Sequence, residues 1–506
     1  GLSTTSTALA SALKVNQGAV ALTVMDSSRE CTVSQQLDDE QRPLALASLP
    51  TDALAHICSL LPAPEDLSCA ERTSLHFQEA VVRALRARRY GLPALDTTCE
   101  PSWTQAALWE ERRDRVPAQP IAVGFSHVTF VDDSGRLLSC GTEDFDAGVD
   151  RPGLLGHGEG VRRLAQPTRL PVTGQRVRFR SVSSGVAHTL AVSERGDVFA
   201  WGIGARGRLG LGEEEDRASP TIVAVGSESR AVAVSAGGAH SLALTAEGHV
   251  WSFGDGALGQ LGHGDLSSQL RPKRIGDLRW SRGTAISACV VHSLVATSDG
   301  AAYSFGHGNS GRLGHGDTAR QPSPRRIGGL RSEHISAVAA GARHSLALSS
   351  GGSVFSFGWG VCGQLGHGDK RSRLVPERIC GALAAVRAVA VSAGCEHSLV
   401  LAAGGAVYSF GYGSHGRLGH GDEEERLEPQ PIASLGGGRT VGAGQYGLAA
   451  YSVASTASGD AFAFGCGEDD ALGVGARSEN LLRPRRYPHL RLAGEGRTEE
   501  SPRECC

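Results

Sequence analysis

From about residue 120 onward, apolar residues come in short runs that alternate with small or polar ones and are cut at close intervals by glycine. One stretch shows the arrangement. Ile335-Ser-Ala-Val-Ala-Ala-Gly341-Ala-Arg-His344-Ser-Leu-Ala-Leu348 leads to Gly351-Gly352, then to Val354-Phe-Ser-Phe-Gly358, Gly363-Gln-Leu-Gly-His-Gly368 and Pro376-Glu-Arg-Ile379. A period of two, with β-branched and aromatic residues in the runs and Gly, Ser and Asp at the bends, predicts half-buried strands joined by tight turns. Between Leu49 and Tyr90 the period lengthens to about 3.6. There Leu54, Ile57, Leu60 and Leu61 share one helical face, Phe77, Val81, Val82 and Leu85 share another, and Pro50, Pro62 and Pro64 supply the breaks. That pattern predicts a small helical domain.

The strand pattern repeats. Leu-Gly-x-Gly begins at Leu155, Leu209, Leu261, Leu313, Leu365, Leu418 and Leu472, so successive copies are 54, 52, 52, 52, 53 and 54 residues apart. A fixed period of this size means one supersecondary unit copied head to tail, and a unit of about four strands is a propeller blade. Seven copies predict a closed ring. The fold expected is mainly β, a seven-bladed β-propeller over 120–494 preceded by a small α-helical domain over 43–90. Residues 91–119, with Trp103, Leu108, Trp109 and the charged run 110–115, predict a bridging helix whose tryptophans pack on the ring. The Ser-, Thr- and Ala-rich 1–42 and the tail 495–506 are expected to be disordered.

The strings Tyr303-Ser-Phe-Gly-His-Gly-Asn-Ser-Gly-Arg-Leu-Gly-His-Gly-Asp317 and Gly341-Ala-Arg-His-Ser345 resemble the repeats of the regulator of chromosome condensation family, whose fold is a seven-bladed propeller. Trp-Asp repeats are shorter and kelch repeats have a different Gly-Gly, Tyr, Trp layout. The helical segment Leu49-Pro50-Thr-Asp-Ala53-Leu54-Ala-His-Ile57-Cys-Ser-Leu60-Leu61-Pro62, followed by Glu65-Asp66-Leu67, Thr73-Ser74 and Phe77, resembles the F-box. That family docks on a Skp-type adaptor of a cullin ubiquitin ligase. The resemblance puts Leu49, Pro50, Leu54, Ile57, Leu61 and Leu67 at or near the adaptor-facing surface. An aromatic pair often seen in F-boxes is reduced to Phe77. The alternative is a helical cap over one propeller edge that recruits nothing.

Composition narrows the function. Gly accounts for 68 of 506 residues, as many tight turns require, and the net charge of -3 excludes a wholly basic nucleic-acid binder. No apolar run is long enough to span a membrane, and no charged region followed by an apolar core marks a secretory signal. The twelve cysteines include no CxxC pair, which favours a reducing compartment and a cytoplasmic or nuclear location. Cys505-Cys506 has the form of a prenylation terminus, a dipeptide that also arises by chance. Gly1 in place of a starting Met suggests that residues precede it.

Two motifs invite misreading. Five GxGxxG strings, beginning at Gly202, Gly254, Gly306, Gly358 and Gly411, run into Leu-Gly-x-Gly rather than opening a helix, so they are blade architecture and no cofactor is expected. His127, His188, His240, His292, His344 and His397 recur one per copy, with Gly447 assigned to that place in the seventh. One residue per blade around a ring does not converge on a metal. A Ser or Thr follows most of them, which predicts hydrogen bonds holding each histidine's own blade. The same structural role is expected of His157, His263, His315, His367 and His420.

No nucleophile with a base, no isolated carboxylate pair and no phosphate loop emerges, so an enzyme is not expected. Function should lie where copies differ. Inside the Gly-x-Gly loop stand Ile203, Asp255, His307, Trp359, Tyr412 and Cys466, and Asp255, His307, Trp359 and Tyr412 are the candidate interaction residues. The acidic runs 213–216 and 423–425 read as solvated loops. The expectation is a non-catalytic protein-interaction protein, with the propeller as target platform and the F-box-like module as adaptor dock, or a plain scaffold. Founding members of the resembling family are exchange factors for a Ran-type small GTPase, which is the alternative. Between Leu155 and Leu472 the constant steps leave no room for a long inserted wedge. A plant branch senses ultraviolet-B through the tryptophan of Gly-Trp-Arg-His-Thr. At that position this chain has Phe125, Val186, Gly238, Val290, Ala342, Cys395 and Gln445, which argues against photoreception.

Overall fold

The structure is a computed structural model. It describes residues 116, 118–143, 153–172, 177–226, 229–278, 281–444, 450–467, 472–475 and 479–492, with backbone at 13–16, 19–26 and 29–36. The expected helical module at 43–90, the bridge up to 115 and the tail at 495–506 lie outside the described residues. The chain divides into two units, 1–108 and 109–506. In the first, where the sequence reading expected a disordered arm, three segments pair as an antiparallel meander: β1 (Leu13–Asn16), β2 (Ala19–Asp26) and β3 (Arg29–Gln36). The alternation Val20, Leu22, Val24 suits such a strand.

In the second unit seven four-stranded antiparallel sheets occupy 121–169, 179–223, 231–274, 283–326, 335–378, 388–431 and 438–491. Every blade uses four strands consecutive in sequence. The first strands touch their counterparts in both neighbouring blades all the way round, the seventh meeting the first, so they line the axis and close the ring. The fourth strand is the rim edge. Each carries a proline, Pro167, Pro220, Pro272, Pro324, Pro376, Pro429 or Pro484, which removes a backbone donor and blunts pairing with another chain.

Leu-Gly-x-Gly is an inter-blade socket. Its leucines are fully buried. A Cβ on Gly314 of blade four, at φ +76°, would lie 2.9 Å from the ring of Phe357 on the third strand of blade five. The same fit joins Gly156 to Trp201, Gly210 to Phe253, Gly262 to Phe305, Gly366 to Phe410 and Gly419 to Phe464. Each aromatic is buried, and truncating one to Ala costs about 3–5 kcal/mol. At the seam Gly473 of blade seven meets the smaller Cys140 of blade one instead, and Phe130 of blade one packs edge-on against Tyr487 of blade seven at 5.1 Å.

The recurring histidines hold blades to one another, which corrects the own-blade expectation. Nε2 of His127, His188, His240, His292, His344 and His397 lies 2.8–2.9 Å from the hydroxyl of Thr189, Ser241, Ser293, Ser345, Ser398 and Ser452, each in the following blade. The proton of Ser293 goes to the Gln260 carbonyl, 2.8 Å away. Its hydroxyl therefore accepts from Nε2–H, which fixes the tautomer. Each ring is completely buried, and Nδ1 has no partner among the described residues. Burial pushes His127 and His240 down to about 4 and His344 to about 3, with the Arg312 charge adding to the last.

The seventh blade corrects another assignment. Its strand register pairs Tyr451 with Gly465 as His397 pairs with Gly411, so Tyr451, not Gly447, holds the histidine position. Four extra residues between Gly444 and Tyr451 displaced the sequence alignment: that interval is seven, against three from Gly394 to His397. The Tyr451 hydroxyl reaches blade one, 3.0 Å from the Gly124 carbonyl and 3.2 Å from that of His127. Blade one has Val128 where other blades have Ser or Thr, so the hydroxyl-accepting partner and the histidine are lost together at the seam.

The second histidine set stays within its blade, as expected. Ser252, Ser304, Ser356 and Ser409 each donate to the leucine carbonyl of Leu-Gly-His-Gly at 2.7 Å and meet His263, His315, His367 and His420 at 2.8–2.9 Å. His157 and Ser139 repeat this at 3.2 Å. Blades two and seven lack both partners, with Ala200 and Leu211, and Ala463 and Val474, at these places.

Candidate functional site

The residue after the third-strand glycine donates its N–H to the carbonyl of the residue before the second strand, at 2.8–2.9 Å in every blade. Two side-chain positions per blade are thereby set side by side on one face. In chain order the pairs are Ser126 with Thr142, Ala187 with Ile203, Ala239 with Asp255, Val291 with His307, Arg343 with Trp359, Glu396 with Tyr412, and Ala450 with Cys466. In blades seven, one and two these positions hold small, apolar or hydroxyl side chains that are buried, whereas blades three to six carry charge and aromatics there. Asp255, His307, Trp359 and Tyr412 all lie on this face. The sequence reading missed Arg343 and Glu396, whose signal was their place directly before His344 and His397.

The charges on this face are unevenly matched. Asp255, 9% exposed, accepts from Arg206 at 3.0 Å, Gln260 Nε2 at 3.3 Å and the Ala257 amide at 3.2 Å, so its carboxylate is fully engaged. Arg343 lies over the Trp359 ring at 4.7 Å and Arg417 over Tyr412 at 5.0 Å, cation–π contacts worth about 0.5–2 kcal/mol. Arg417 is also 3.8 Å from Glu396. His307 is half-buried, and burial, with Arg312 and Arg320 nearby, lowers its pKa. Among the described residues no cluster of His, Cys, Asp and Glu could hold a metal ion.

The loops beneath the face are set by one residue, the one preceding Leu-Gly-x-Gly. Where it is Arg, its Nε donates to a turn carbonyl: Arg208 to Ala205, Arg312 to Asn309 and Arg417 to Ser414, at 2.9–3.0 Å. The next residue then adopts positive φ, as Arg206, Ser310 and His415 do. Where it is Gln, its Oε1 accepts an N–H instead: Leu258 to Gln260 at 2.8 Å and Cys362 to Gln364 at 3.0 Å. The intervening peptide is turned over and φ stays negative, because Arg has no acceptor to offer and Gln does.

The glycines of the GxGxxG strings are consumed by these turns. A Cβ on Gly308 would come within 2.0 Å of the Ala319 carbonyl oxygen, and one on Gly311 within 2.8 Å of Leu374 Cα in the next blade. The tryptophan position of the ultraviolet-sensing string lies near the axis, where Phe125, Val186 and Val290 of blades one, two and four join one apolar cluster. Leu49, Pro50, Leu54, Ile57, Leu61 and Leu67 lie outside the described residues.

The chain matches the Regulator of chromosome condensation (RCC1) repeat over 195–244, 247–296, 299–348, 351–401 and 404–450, with a second form of the repeat at 179–208, 231–260 and 335–364. It is 34% identical over 369 residues to the ultraviolet-B receptor UVR8 of Arabidopsis thaliana, covering 72% of this chain and 81% of that protein. It belongs to the RCC1-repeat family. Another RCC1-repeat relative, the human E3 ubiquitin-protein ligase HERC2, is 33% identical over 347 residues, which are 67% of this chain and 7% of that much longer protein. The solved structure of Prp20p from Saccharomyces cerevisiae, described with its binding to Gsp1p and histones, superposes with a TM-score of 0.61 at 22% identity. It covers 75% of this chain and 89% of that one, a likeness of fold.

Proposed function

We propose that this RCC1-repeat propeller is a non-catalytic protein-binding platform, and that the module at 43–90 carries it to a Skp-type adaptor, making the chain a substrate receptor for ubiquitylation. The observation that carries the platform reading is the contrast between constant and variable positions. Sockets, histidine ties and turns recur blade after blade, whereas the paired face positions change from Ser126 and Thr142 to Arg343 and Trp359. In blades four to six these positions are at least partly exposed, gathered on one face and rich in aromatics and charge, which is what a protein interface uses. The adaptor arm rests on the resemblance of residues 49–77 to the F-box.

A pull-down with the full chain tests both arms. Wild type and a Leu54→Asp, Ile57→Asp, Leu61→Asp variant, checked for folding by circular dichroism, are presented to a Skp-type adaptor and to a Ran-type GTPase. Adaptor binding that the variant loses is the expected result. No adaptor binding would reduce 43–90 to a cap, and nucleotide-sensitive GTPase binding would favour exchange activity instead.

A further inference from the structure

The face has a half-ring of cations whose carboxylate partners are missing from blades four and five. Arg312 is 7% exposed, yet its bonds go to neutral carbonyls, Ala342 at 2.8 Å and Asn309 at 2.9 Å. Arg343 is exposed and rests on Trp359. Arg320, also exposed, touches the Ala257 carbonyl of blade three at 3.3 Å. Among the described residues no acidic side chain pairs with any of the three. The nearby carboxylates are engaged elsewhere: Asp317 with Arg325, Asp255 with Arg206, and Glu396 with Arg417. A largely desolvated cation left with carbonyl dipoles alone keeps an outward positive field that an arriving anion relieves. Apolar surface adjoins it, since Val361, two residues beyond Trp359, is 47% exposed.

We infer that the rim of blades four and five docks an acidic protein segment, its Asp or Glu carboxylates taken by the exposed Arg320 and Arg343 in the field of the buried Arg312 beneath them, and an apolar side chain seated beside Trp359 and Val361. The inference rests on the platform reading and names its partner class. Arg presents a planar fork of donors suited to carboxylates, and Arg343 is held in place by the indole beneath it. A nucleic acid fits less well, because Asp255 and Glu396 on blades three and six flank the patch and interrupt any extended phosphate track.

The full chain is panned against a randomised phage-displayed peptide library, and selected peptides are resynthesised with fluorescein for anisotropy measurements. Three proteins are compared: wild type, Arg320→Gln with Arg343→Gln, and Trp359→Ala, with Val361→Lys as a second block of the apolar site should Trp359→Ala not fold. The expected peptides are enriched in Asp and Glu beside apolar residues. They lose about tenfold affinity or more, about 1.4 kcal/mol, in the double arginine variant, and again when their acids become amides. Peptides without acidic enrichment that the apolar variants block but the arginine variant does not would overturn the acidic assignment while leaving the platform standing. Failure to select peptides, or binding unaffected by every variant, would sink both. A fluorescein-labelled duplex DNA bound more tightly than the peptides, through the same arginines, would replace the acidic segment with nucleic acid.

Discussion

Lowering the pH from 7.5 to 5 should dismantle this ring through its buried imidazoles. His127, His188, His240, His292, His344 and His397 are completely buried and neutral, each holding the next blade through Nε2–H. Released from the fold they titrate near 6.5. Because the folded pKa lies below the unfolded one, the unfolded chain binds more protons. Their contribution is complete above about pH 6.5 and is lost as pH falls toward 4. For a ring at about 4, such as His240, the unfolded form is nearly all protonated at pH 5 and the folded form about a tenth protonated, a difference of about 2 kcal/mol. His127, His240 and His344 together withdraw about 6 kcal/mol, comparable with the 5–15 kcal/mol that holds a typical domain, and His188, His292 and His397, held well below 6.5 by burial and neighbouring charges, act in the same direction. Urea midpoints followed by tryptophan fluorescence between pH 7.5 and 5 should fall, with His127, His240 and His344 alone supplying a slope near three protons, about 4 kcal/mol per pH unit over the steepest part. Half-buried His263 and His315 act in the same direction, with a smaller share because solvent screens them. Replacing His240 by Gln, whose amide N–H can reach Ser293 without titrating, should remove about one proton from the slope. Midpoints that stay flat between pH 6.5 and 5 would refute the argument.

Other substitutions read individual joints. Gly314→Ala forces a Cβ against Phe357 at positive φ and should cost about 2–4 kcal/mol, seen as a lower urea midpoint; an unchanged midpoint would mean the socket yields. Ser293→Ala leaves His240 Nε2–H without its acceptor and should cost about 1–3 kcal/mol. Val128→Ser should restore nothing, since Tyr451 already spans that seam. Gln364→Arg should turn over the peptide before Cys362 and drive that residue to positive φ, costing about 1–3 kcal/mol. Adding Cys362→Gly should recover most of the loss, with a crystal structure of the double variant showing the reversed peptide.

The seven copies, the strand pattern and the structural burden of the glycines were legible because a socket or turn used in every blade leaves the same letters in every repeat. The partner of each histidine was not, for a physical reason: in a ring of equivalent units, a bond within a copy and a bond to the next copy produce identical periodicity. The irregular copies separate the two. Ala200 with Leu211, and Ala463 with Val474, lose both partners inside one copy, the mark of an internal bond. Tyr451 in the last copy and Val128 in the first lose one partner each, the mark of a bond that crosses from copy to copy and around the seam. The face was half legible. Trp359 and Tyr412 stood out by type, but Arg343 and Glu396 are brought beside them by the backbone bonds at Trp359 and Tyr412, which no spacing rule announces.

Each blade is built from consecutive strands, so no strand from one end of the chain is threaded into the sheet at the other. The seam between blades one and seven is held by the Asp132–Leu492 bridge, the Asp133 amide on the Arg491 carbonyl, Tyr451, the Phe130–Tyr487 and Gly473–Cys140 contacts and the buried apolar cluster the two blades share. Tension applied across residues 121 and 492 would therefore load these lateral joints rather than shear a full hydrogen-bonded strand all at once. Such a ring opens like a bracelet at its clasp, without first unfolding any link.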